Sequence, residues 1–353
     1  MKKKQNKTKA KLYLYAAVAL IVVALGMVYW YFFSDFTKSG ATEYVYIDND
    51  DNQDSVFIKL ETVGRHHAVT GFRTLARHTG YAGNIRTGRY AIAPNEGAAV
   101  ILRHLKNGVQ TPVNMTIPEV RTTDRLAAVL GRKLMTDSAT VVNMLKDSAF
   151  CASLGYDTAT IVALFVPNTY SIYWNTSAEA LMERMAKEHD RFWQANGREA
   201  KAKAMSMTPV EVATLASIID EETSNNAEKP MIAGMYLNRL NYQSDEYPKG
   251  MPLQADPTIK FACGDFTLKR IYHKLLFIDS PYNTYRYPGL PPGPIKVASI
   301  AGIDAVLNPV KHDYLFMCAK EDFSGTHNFA KTYEEHLKNA ARYTKALNER
   351  GIR

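Results

Sequence analysis

The 353-residue sequence predicts an α+β protein with a single N-terminal transmembrane helix, a small α+β module and a helix-rich α+β domain. Three observations support this fold class. An uncharged apolar run fills residues 12–33, short strand and helix patterns alternate over 44–117, and helical spacing of apolar residues predominates over 118–353. A basic tail (residues 1–11) precedes the apolar run, and a polar linker (residues 34–43) follows it.

The apolar run LYLYAAVALIVVALGMVYWYFF contains 22 residues without a charge. As a helix it spans roughly 33 Å, enough to cross the hydrocarbon core of a bilayer. It ends in aromatic residues, as at a membrane interface, whereas a cleavable signal peptide has a shorter apolar stretch before a small-residue site. Because its apolar character extends all the way round, the alternative of a buried soluble helix is disfavoured.

The basic tail holds six lysines and therefore six of the eight net positive charges of the chain. An excess of lysine marks the cytoplasmic side of a membrane helix, so we expect the N-terminus in the cytoplasm and the bulk of the chain in the periplasm or outside the cell. The remaining charge is too small for a basic stripe, and no nucleic-acid partner is expected. Neither a Walker loop nor a dinucleotide-binding glycine motif is present in the sequence.

Within the small module the pattern predicts strands at YVYI (44–47), VFIKLE (56–61) and RTGRYAI (86–92). GAAVILRHLKNG (97–108) predicts a helix that a glycine ends, and TPVNMTI (111–117) a closing strand. After Pro118, helices are expected over residues 122–134, 138–146 and 177–193. The cysteines, Cys151, Cys263 and Cys318, are odd in number and lack metal-ligand spacing, which favours free thiols.

A further helix begins at Thr208, where Thr208 and Glu211 form a capping box and Pro209 occupies the first turn. The acids Asp220, Glu221 and Glu222 end it. At about 100° per residue, Glu221 points away from the apolar stripe of the helix and should be solvated, whereas Glu222 lies nearest the buried face. Desolvation would raise the pKa of Glu222, as a general acid requires, although an exposed charged helix end is the simpler reading of this segment alone.

An ordered series of motifs follows these acids: NRL (238–240), LQADPT (253–258), YNTY (282–285), GLPPGPI (289–295) and THNF (326–329). With the ASIIDEE helix before them, they resemble the YceG-like family of endolytic murein transglycosylases. The resemblance extends more weakly to Gly88-Arg89-Tyr90, which is similar to a strand of the family's LysM-like module. It implies a LysM-like module over residues 44–117 and a catalytic domain over 118–353.

The resemblance implies that Glu222 is the catalytic residue. The chain departs from the family pattern at Asp220, where Glu is usual, and at Glu221, where Lys is common. The segment FVPNTY (165–170) also resembles a family motif, in which Asp is usual at the position of Asn168. The implied activity is endolytic cleavage of the MurNAc-β-1,4-GlcNAc bond in nascent glycan strands, which leaves a 1,6-anhydro-MurNAc end and terminates strand elongation. One carboxyl acts first as acid and then as base, so neither a metal nor an organic cofactor is expected. The implied partners are peptidoglycan, the cytoplasmic membrane and, as a candidate, the peptidoglycan synthases.

Seven other motif residues have amide, carboxyl, phenol or imidazole groups suited to sugar binding. They are Asn238, Gln254, Asp256, Tyr282, Asn283, Tyr285 and His327. Structural roles remain open for several: a turn or helix cap at Asp256, a turn at Asn283 and a structural hydrogen bond at His327. Arg239 is a candidate ion-pair partner of Glu222 or Asp220.

Two other functions are compatible with the sequence. The first is a non-catalytic peptidoglycan-binding scaffold of the cell-wall synthesis machinery. The second is a hydrolase that uses water, with Asp220 or Glu221 as the second carboxylate that such enzymes ordinarily need. The intact Glu222 and the complete motif series favour the transglycosylase.

Overall fold

The computed structural model describes residues 2–268 and 270–351, with side chains from residue 8 onward. These residues form a mixed α+β protein with small two-stranded sheets. The helices are α1 (Lys2–Phe32), α2 (Gln53–Val63), α3 (His66–His78), α4 (Ala98–Asn107), α5 (Thr123–Gly131), α6 (Ser138–Lys146), α7 (Ser148–Ser153), α8 (Ala178–Gln194), α9 (Arg198–Ala204), α10 (Pro209–Glu222), α11 (Lys229–Asn241), α12 (Asp256–Cys263), α13 (Ile300–Leu307) and α14 (Tyr333–Glu349). The strands are β1 (Glu43–Ile47), β2 (Gly88–Ile92), β3 (Val113–Thr116), β4 (Thr169–Ile172), β5 (Phe316–Ala319) and β6 (His327–Ala330).

Helix α1 contains the predicted apolar run except for its last residue, Phe33. Its segment Thr8–Phe32 has 25 residues and a mean hydropathy of 2.3, and none of its apolar window is buried against the rest of the chain. The segment is long and apolar enough to cross a membrane. The membrane location and the orientation remain predictions. The side chains of residues 1–7, which carry much of the predicted basic tail, lie outside the described residues.

The chain divides into two compact units, and the first contains the residues up to Asn114 together with Lys133–Met135 and Ser171–Thr176. Its strands β1 and β2 pair antiparallel, with Glu43 opposite Ile92 and Ile47 opposite Gly88. Its apolar core is formed by residues of these strands and of α2, α3 and α4. The predicted linker contributes to this core, because Phe36 and Thr37 are fully buried.

The strand predicted at VFIKLE is wrong, because this segment lies inside helix α2. Asn52 and Ser55 form a capping box, in which each side chain accepts a hydrogen bond from the other residue's backbone N–H. The cap starts a helix that buries Val56, Phe57 and Leu60, a spacing that places all three on one face. The predicted helix at 97–108 is confirmed as α4, which ends at Gly108 in the left-handed conformation (φ 69°). The likeness of this unit to a LysM module and the domain boundaries remain predictions.

The second unit is built around α10. The predicted capping box at Thr208 and Glu211 is present, with Pro209 in the first turn. All eight residues from Val212 to Ile219 are buried, so α10 lies inside the core rather than presenting a single apolar stripe. It packs with α11 and α13, and the GLPPGPI loop is fixed to it by a hydrogen bond from the Ile295 N–H to Ser217 Oγ (3.0 Å).

Asp220 links the three central helices. Its Oδ1 lies 2.8 Å from Lys229 Nζ at the start of α11, and the two side chains are only 1% and 6% exposed. Ser299, the N-cap of α13, donates to the same carboxylate from its N–H (2.6 Å) and its hydroxyl (2.7 Å). A Cβ at Gly302 would lie 2.6 Å from Asp220 Oδ1, so glycine permits this close approach of α13.

We expect Asp220→Ala to lower the free energy of unfolding by about 3–5 kcal/mol, because it leaves the Lys229 ammonium buried without its partner. Asp220→Ala/Lys229→Met should recover part of that loss, since it removes both charges. Urea unfolding of the full chain in detergent measures both effects. Glu221→Gln on the same helical turn is the control, with an expected change within about 1 kcal/mol. An equal loss in Asp220→Ala and Glu221→Gln would contradict the prediction.

Candidate active site

Glu222 is the last residue of α10, and its carboxyl group faces a cavity. Tyr236, on the neighbouring helix α11, donates a hydrogen bond from its hydroxyl to Glu222 Oε1 over 2.7 Å. Among the described residues, no side chain other than Tyr236 forms a hydrogen bond with the Glu222 carboxyl group. Glu222 Oε2 is therefore left for a ligand in the cavity.

The cavity has a volume of about 260 Å³ and is partly open to solvent. Helices α10, α11 and α12 and the β5–β6 hairpin contribute to its wall, where Ala319 of β5 pairs with His327 of β6. The polar side chains on the wall are those of Glu222, Tyr236, Arg239, Gln254, Asp256, Tyr285 and His327, together with the Cys318 thiol. The predicted site residues Glu222, Gln254, Asp256, Tyr285 and His327 are thus brought together.

The environment of Glu222 raises the pKa of its carboxyl group to about 7. Removal from water is the largest cause, because burial disfavours the charged form. The hydrogen bond from Tyr236 acts in the opposite direction, as do the charges of His327 and Lys260, whereas the charge of Asp256 raises the pKa. Near neutral pH the group is therefore divided between its acid and its carboxylate form, which suits a residue that both donates and accepts a proton.

Asp256 and Gln254 stand on the wall beside Glu222. The Tyr285 hydroxyl donates to Asp256 Oδ1 over 2.6 Å, and desolvation, with this bond as a further cause, raises the pKa of Tyr285, which remains a phenol. Gln254 has a left-handed backbone (φ 51°), which is unusual for a residue other than glycine and is common at functional sites. Its N–H donates to the carbonyl of Thr284 (3.0 Å), which anchors the strained residue to the YNTY motif.

His327 is held against the cavity by Glu228, a buried residue just before α11. Glu228 Oε1 accepts the backbone N–H of His327 (2.6 Å), and Glu228 Oε2 lies 3.1 Å from His327 Nδ1. A carboxylate at Nδ1 keeps a proton on that nitrogen, so Glu228 fixes the orientation of the imidazole ring. His327 thus has both a structural hydrogen bond and a place on the cavity wall.

The other two acids of α10 have different surroundings. The side chain of Asp220 is only 1% exposed, although the helical wheel predicts that Glu222 lies nearest the buried face, and Asp220 binds Lys229 and Ser299. The prediction that Glu221 is solvated is wrong. Its carboxylate is paired with Arg121 (2.7 Å) and lies 3.6 Å from Lys296, and its side chain is 14% exposed. Both carboxylates are thus bound to cations away from the cavity.

Three predicted sugar-binding residues do not reach the cavity wall. Asn238 donates from its amide to the carbonyls of His312 (2.7 Å) and Tyr314 (3.0 Å). Asn283 is fully buried and donates to the carbonyls of Leu276 and Ile278. Tyr282 packs on Phe261, with ring centroids 4.6 Å apart. In the structure these side chains hold loops in place, and their sugar-binding role remains a prediction.

The sequence analysis did not single out Tyr236 and Glu228. Helix α11 is buried on several sides, so its apolar pattern has no single face from which to infer that Tyr236 points at Glu222. Arg239, considered as an ion-pair partner of Glu222 or Asp220, instead donates to the backbone carbonyls of Leu315, Pro252 and Leu253 and to Gln254 Oε1. Within residues 8–268 and 270–351, no cluster of three or more His, Cys, Asp or Glu side chains has an arrangement that could hold a metal.

Comparison with known proteins places this site in a family. The sequence model of the YceG-like family matches residues 45–342, which include every element of the cavity. The chain belongs to the YceG-like family. A YceG-like protein from Listeria monocytogenes, solved at 2.6 Å resolution, aligns with a TM-score of 0.53 and 29% identity over 84% of this chain and 98% of that chain.

Two relatives of this YceG-like chain are named endolytic murein transglycosylase. The Bacillus subtilis (strain 168) protein is 30% identical over 295 residues, which cover 79% of this chain and 78% of that protein. The Streptococcus pneumoniae serotype 2 protein is 26% identical over 329 residues, or 84% of this chain but 57% of the longer pneumococcal protein.

We expect Tyr236→Phe to raise the pKa of Glu222 above its present value of about 7, because the lost hydrogen bond stabilises the carboxylate form. A shift of about one unit corresponds to about 1.4 kcal/mol, within the range for hydrogen bonds to charged groups. The carboxyl infrared band, followed against pH and assigned by its loss in Glu222→Gln, gives the value. Tyr282→Phe is the control. A lower or unchanged pKa in Tyr236→Phe would refute this account of the site.

Proposed function

We propose that this YceG-like chain is an endolytic peptidoglycan lytic transglycosylase, a lyase that cleaves the MurNAc-β-1,4-GlcNAc bond and leaves a 1,6-anhydro-MurNAc end. The observation that carries the proposal is the carboxyl group of Glu222, whose pKa is raised to about 7 on the wall of an open polar cavity. The names of the Bacillus and pneumococcal relatives support the same activity.

In the proposed mechanism Glu222 acts twice. Protonated Glu222 gives its proton to the glycosidic oxygen while the bond between that oxygen and C1 of MurNAc breaks. The resulting carboxylate then takes the proton of the MurNAc C6 hydroxyl, whose oxygen forms the new bond to C1. The proton returns to Glu222 and no water is consumed. The internal hydroxyl is already close to C1, which lowers the entropic cost of the step.

Tyr236 supports this double role, since its bond to Oε1 holds the carboxyl group while Oε2 exchanges the proton. Gln254, Asp256, Tyr285 and His327 provide the polar wall for the hydroxyl and acetamido groups of the sugars. Helix α1 would anchor the enzyme in the cytoplasmic membrane with its N-terminus inside. The cleavage would then take place outside the cytoplasm, where new glycan emerges, and would terminate strand elongation. The first unit is proposed to bind glycan as a LysM-like module.

A second candidate function is hydrolysis of the same bond. Asp256 favours it, because this exposed carboxylate lines the cavity together with Glu222. Two carboxyl groups in different environments are the usual equipment of a glycosidase, one as acid and the other as base or nucleophile. Asp220 and Glu221 are poor candidates for that role, since both are bound to cations elsewhere.

Product analysis separates these functions. Peptidoglycan strands treated with the full chain in detergent should yield 1,6-anhydro-MurNAc ends by mass spectrometry, and Glu222→Gln should lower the rate by about a hundredfold to ten-thousandfold. Asp256→Asn should retain the anhydro product. Reducing MurNAc ends that disappear in Asp256→Asn would instead establish hydrolysis. No cleavage by the unsubstituted chain would favour a peptidoglycan-binding scaffold.

The pKa of Glu222 also predicts a pH profile. Because the first step needs the protonated acid, kcat/KM should fall about tenfold per pH unit as the pH rises above about 7. In Tyr236→Phe the same descending limb should move to higher pH. Steady-state rates of strand cleavage between pH 5 and about 9 measure both curves. A limb that stays in place in Tyr236→Phe would show that another group is the acid.

A further inference from the structure

A second cavity in the same unit adjoins the cavity of Glu222. It has a volume of about 650 Å³, within the range of small-molecule sites, and Gln254 lines both cavities. Its wall combines the connection between α11 and α12 with strand β5 and the start of α14. We call it the aromatic cavity, after the four rings that line it: Tyr242, Tyr247, Phe316 and Tyr333.

The four rings are arranged in two pairs. The ring centroids of Tyr242 and Tyr247 are 6.3 Å apart, and those of Phe316 and Tyr333 are 5.8 Å apart. Tyr242 and Tyr333 are nevertheless 39% and 61% exposed. A cluster of exposed aromatic rings around a cavity is unfavourable in water and is typical of a binding site.

The polar groups of the aromatic cavity narrow the class of ligand. The tyrosine hydroxyls, Thr332 and the carboxylate of Glu246 add polar groups to this wall, and Lys331 at its edge is paired with Asp313 (2.9 Å). Flat rings beside hydroxyl groups match a saccharide, whose ring has apolar C–H faces and a polar rim. Because Lys331 is already paired, Glu246 is the charged group left on this wall, and its oxygens can accept hydrogen bonds from sugar hydroxyls.

Arg239 joins the two cavities. Its guanidinium lies 5.3 Å from the centroid of the Phe316 ring and donates to Gln254 Oε1, as well as to backbone carbonyls of the loop before α12. The strained backbone of Gln254 is thus fixed at the point where one cavity meets the other. A chain of sugars that has one unit beside Glu222 can continue past Gln254 without leaving the protein surface.

We propose that the aromatic cavity binds further sugar units of the glycan strand whose scissile bond lies beside Glu222. This inference rests on the proposed function and adds the course of the strand: from the cavity of Glu222, past Gln254, to Tyr242 and Tyr333. The rings hold the sugars through their faces, so the protein selects strands long enough to fill both cavities.

Binding of defined glycans to the full chain with Glu222→Gln tests the proposal, because no substrate is then consumed. The probes are peptide-free tetra- and octasaccharides of alternating GlcNAc and MurNAc, followed by calorimetry in detergent. The octasaccharide should bind about tenfold more tightly than the tetrasaccharide. Tyr242→Ala/Tyr333→Ala should abolish that difference by weakening only the longer ligand, whereas Tyr242→Phe/Tyr333→Phe should retain it because the ring faces remain.

Tyr272→Ala is the matched control, since Tyr272 is 59% exposed and is not among the residues that line either cavity. It should leave both affinities unchanged, and thermal unfolding of each variant checks the fold. Equal affinity for the two glycans, or equal weakening of both in Tyr242→Ala/Tyr333→Ala, would overturn the proposal. Binding is measured without turnover, so the two proposals can fail independently. Absence of glycan cleavage by the unsubstituted chain would refute the proposed function, whereas the binding data alone decide whether the aromatic cavity holds sugar units.

Discussion

The buried ion pair between Asp220 and Lys229 fixes the end of α10, and with it the position of Glu222 two residues later. Through Ser299 the same carboxylate holds α13, so three helices meet at one charged group. A charge removed from water is tolerated only when it is paired and hydrogen-bonded, and this requirement leaves little freedom in how the helices pack. The three consecutive acids therefore have separate surroundings: the core, a surface ion pair and the cavity.

The cavity depends on a balance of opposing effects at Glu222. Burial alone favours the neutral acid, while the hydrogen bond from Tyr236 and the positive charges of Lys260 and of a protonated His327 favour the carboxylate. The partners are themselves held by other residues, since Glu228 binds His327 and Arg239 holds the loop that carries Gln254. The proton affinity of one carboxyl group thus depends on residues of α11, α12 and β6.

Much of the fold and part of the site could be predicted from the sequence. The cap at Thr208 and the glycine stop at Gly108 are local signals that determine helix ends on their own. Ordered motifs led to Glu222, Gln254, Asp256, Tyr285 and His327. They also led to Asn238 and Asn283, because an amide that holds a loop carbonyl has the same signature as one that binds a ligand. The roles of Tyr236 and Glu228 depend on how helices pack against each other and against the β5–β6 hairpin. The apolar periodicity of a buried helix gives no information about that packing.

The half-protonated state of Glu222 has a consequence for inhibition. A cationic sugar mimic, such as an iminosugar with a protonated ring nitrogen, would need the carboxylate form beside it. Its binding would therefore expel the proton from Glu222, and its affinity would rise with pH and level off only well above the pKa of about 7, where the group is fully ionised. A neutral lactam would have the opposite preference, because its carbonyl accepts a hydrogen bond only from the acid form. Two inhibitors of the same size would thus report on the two protonation states of one residue.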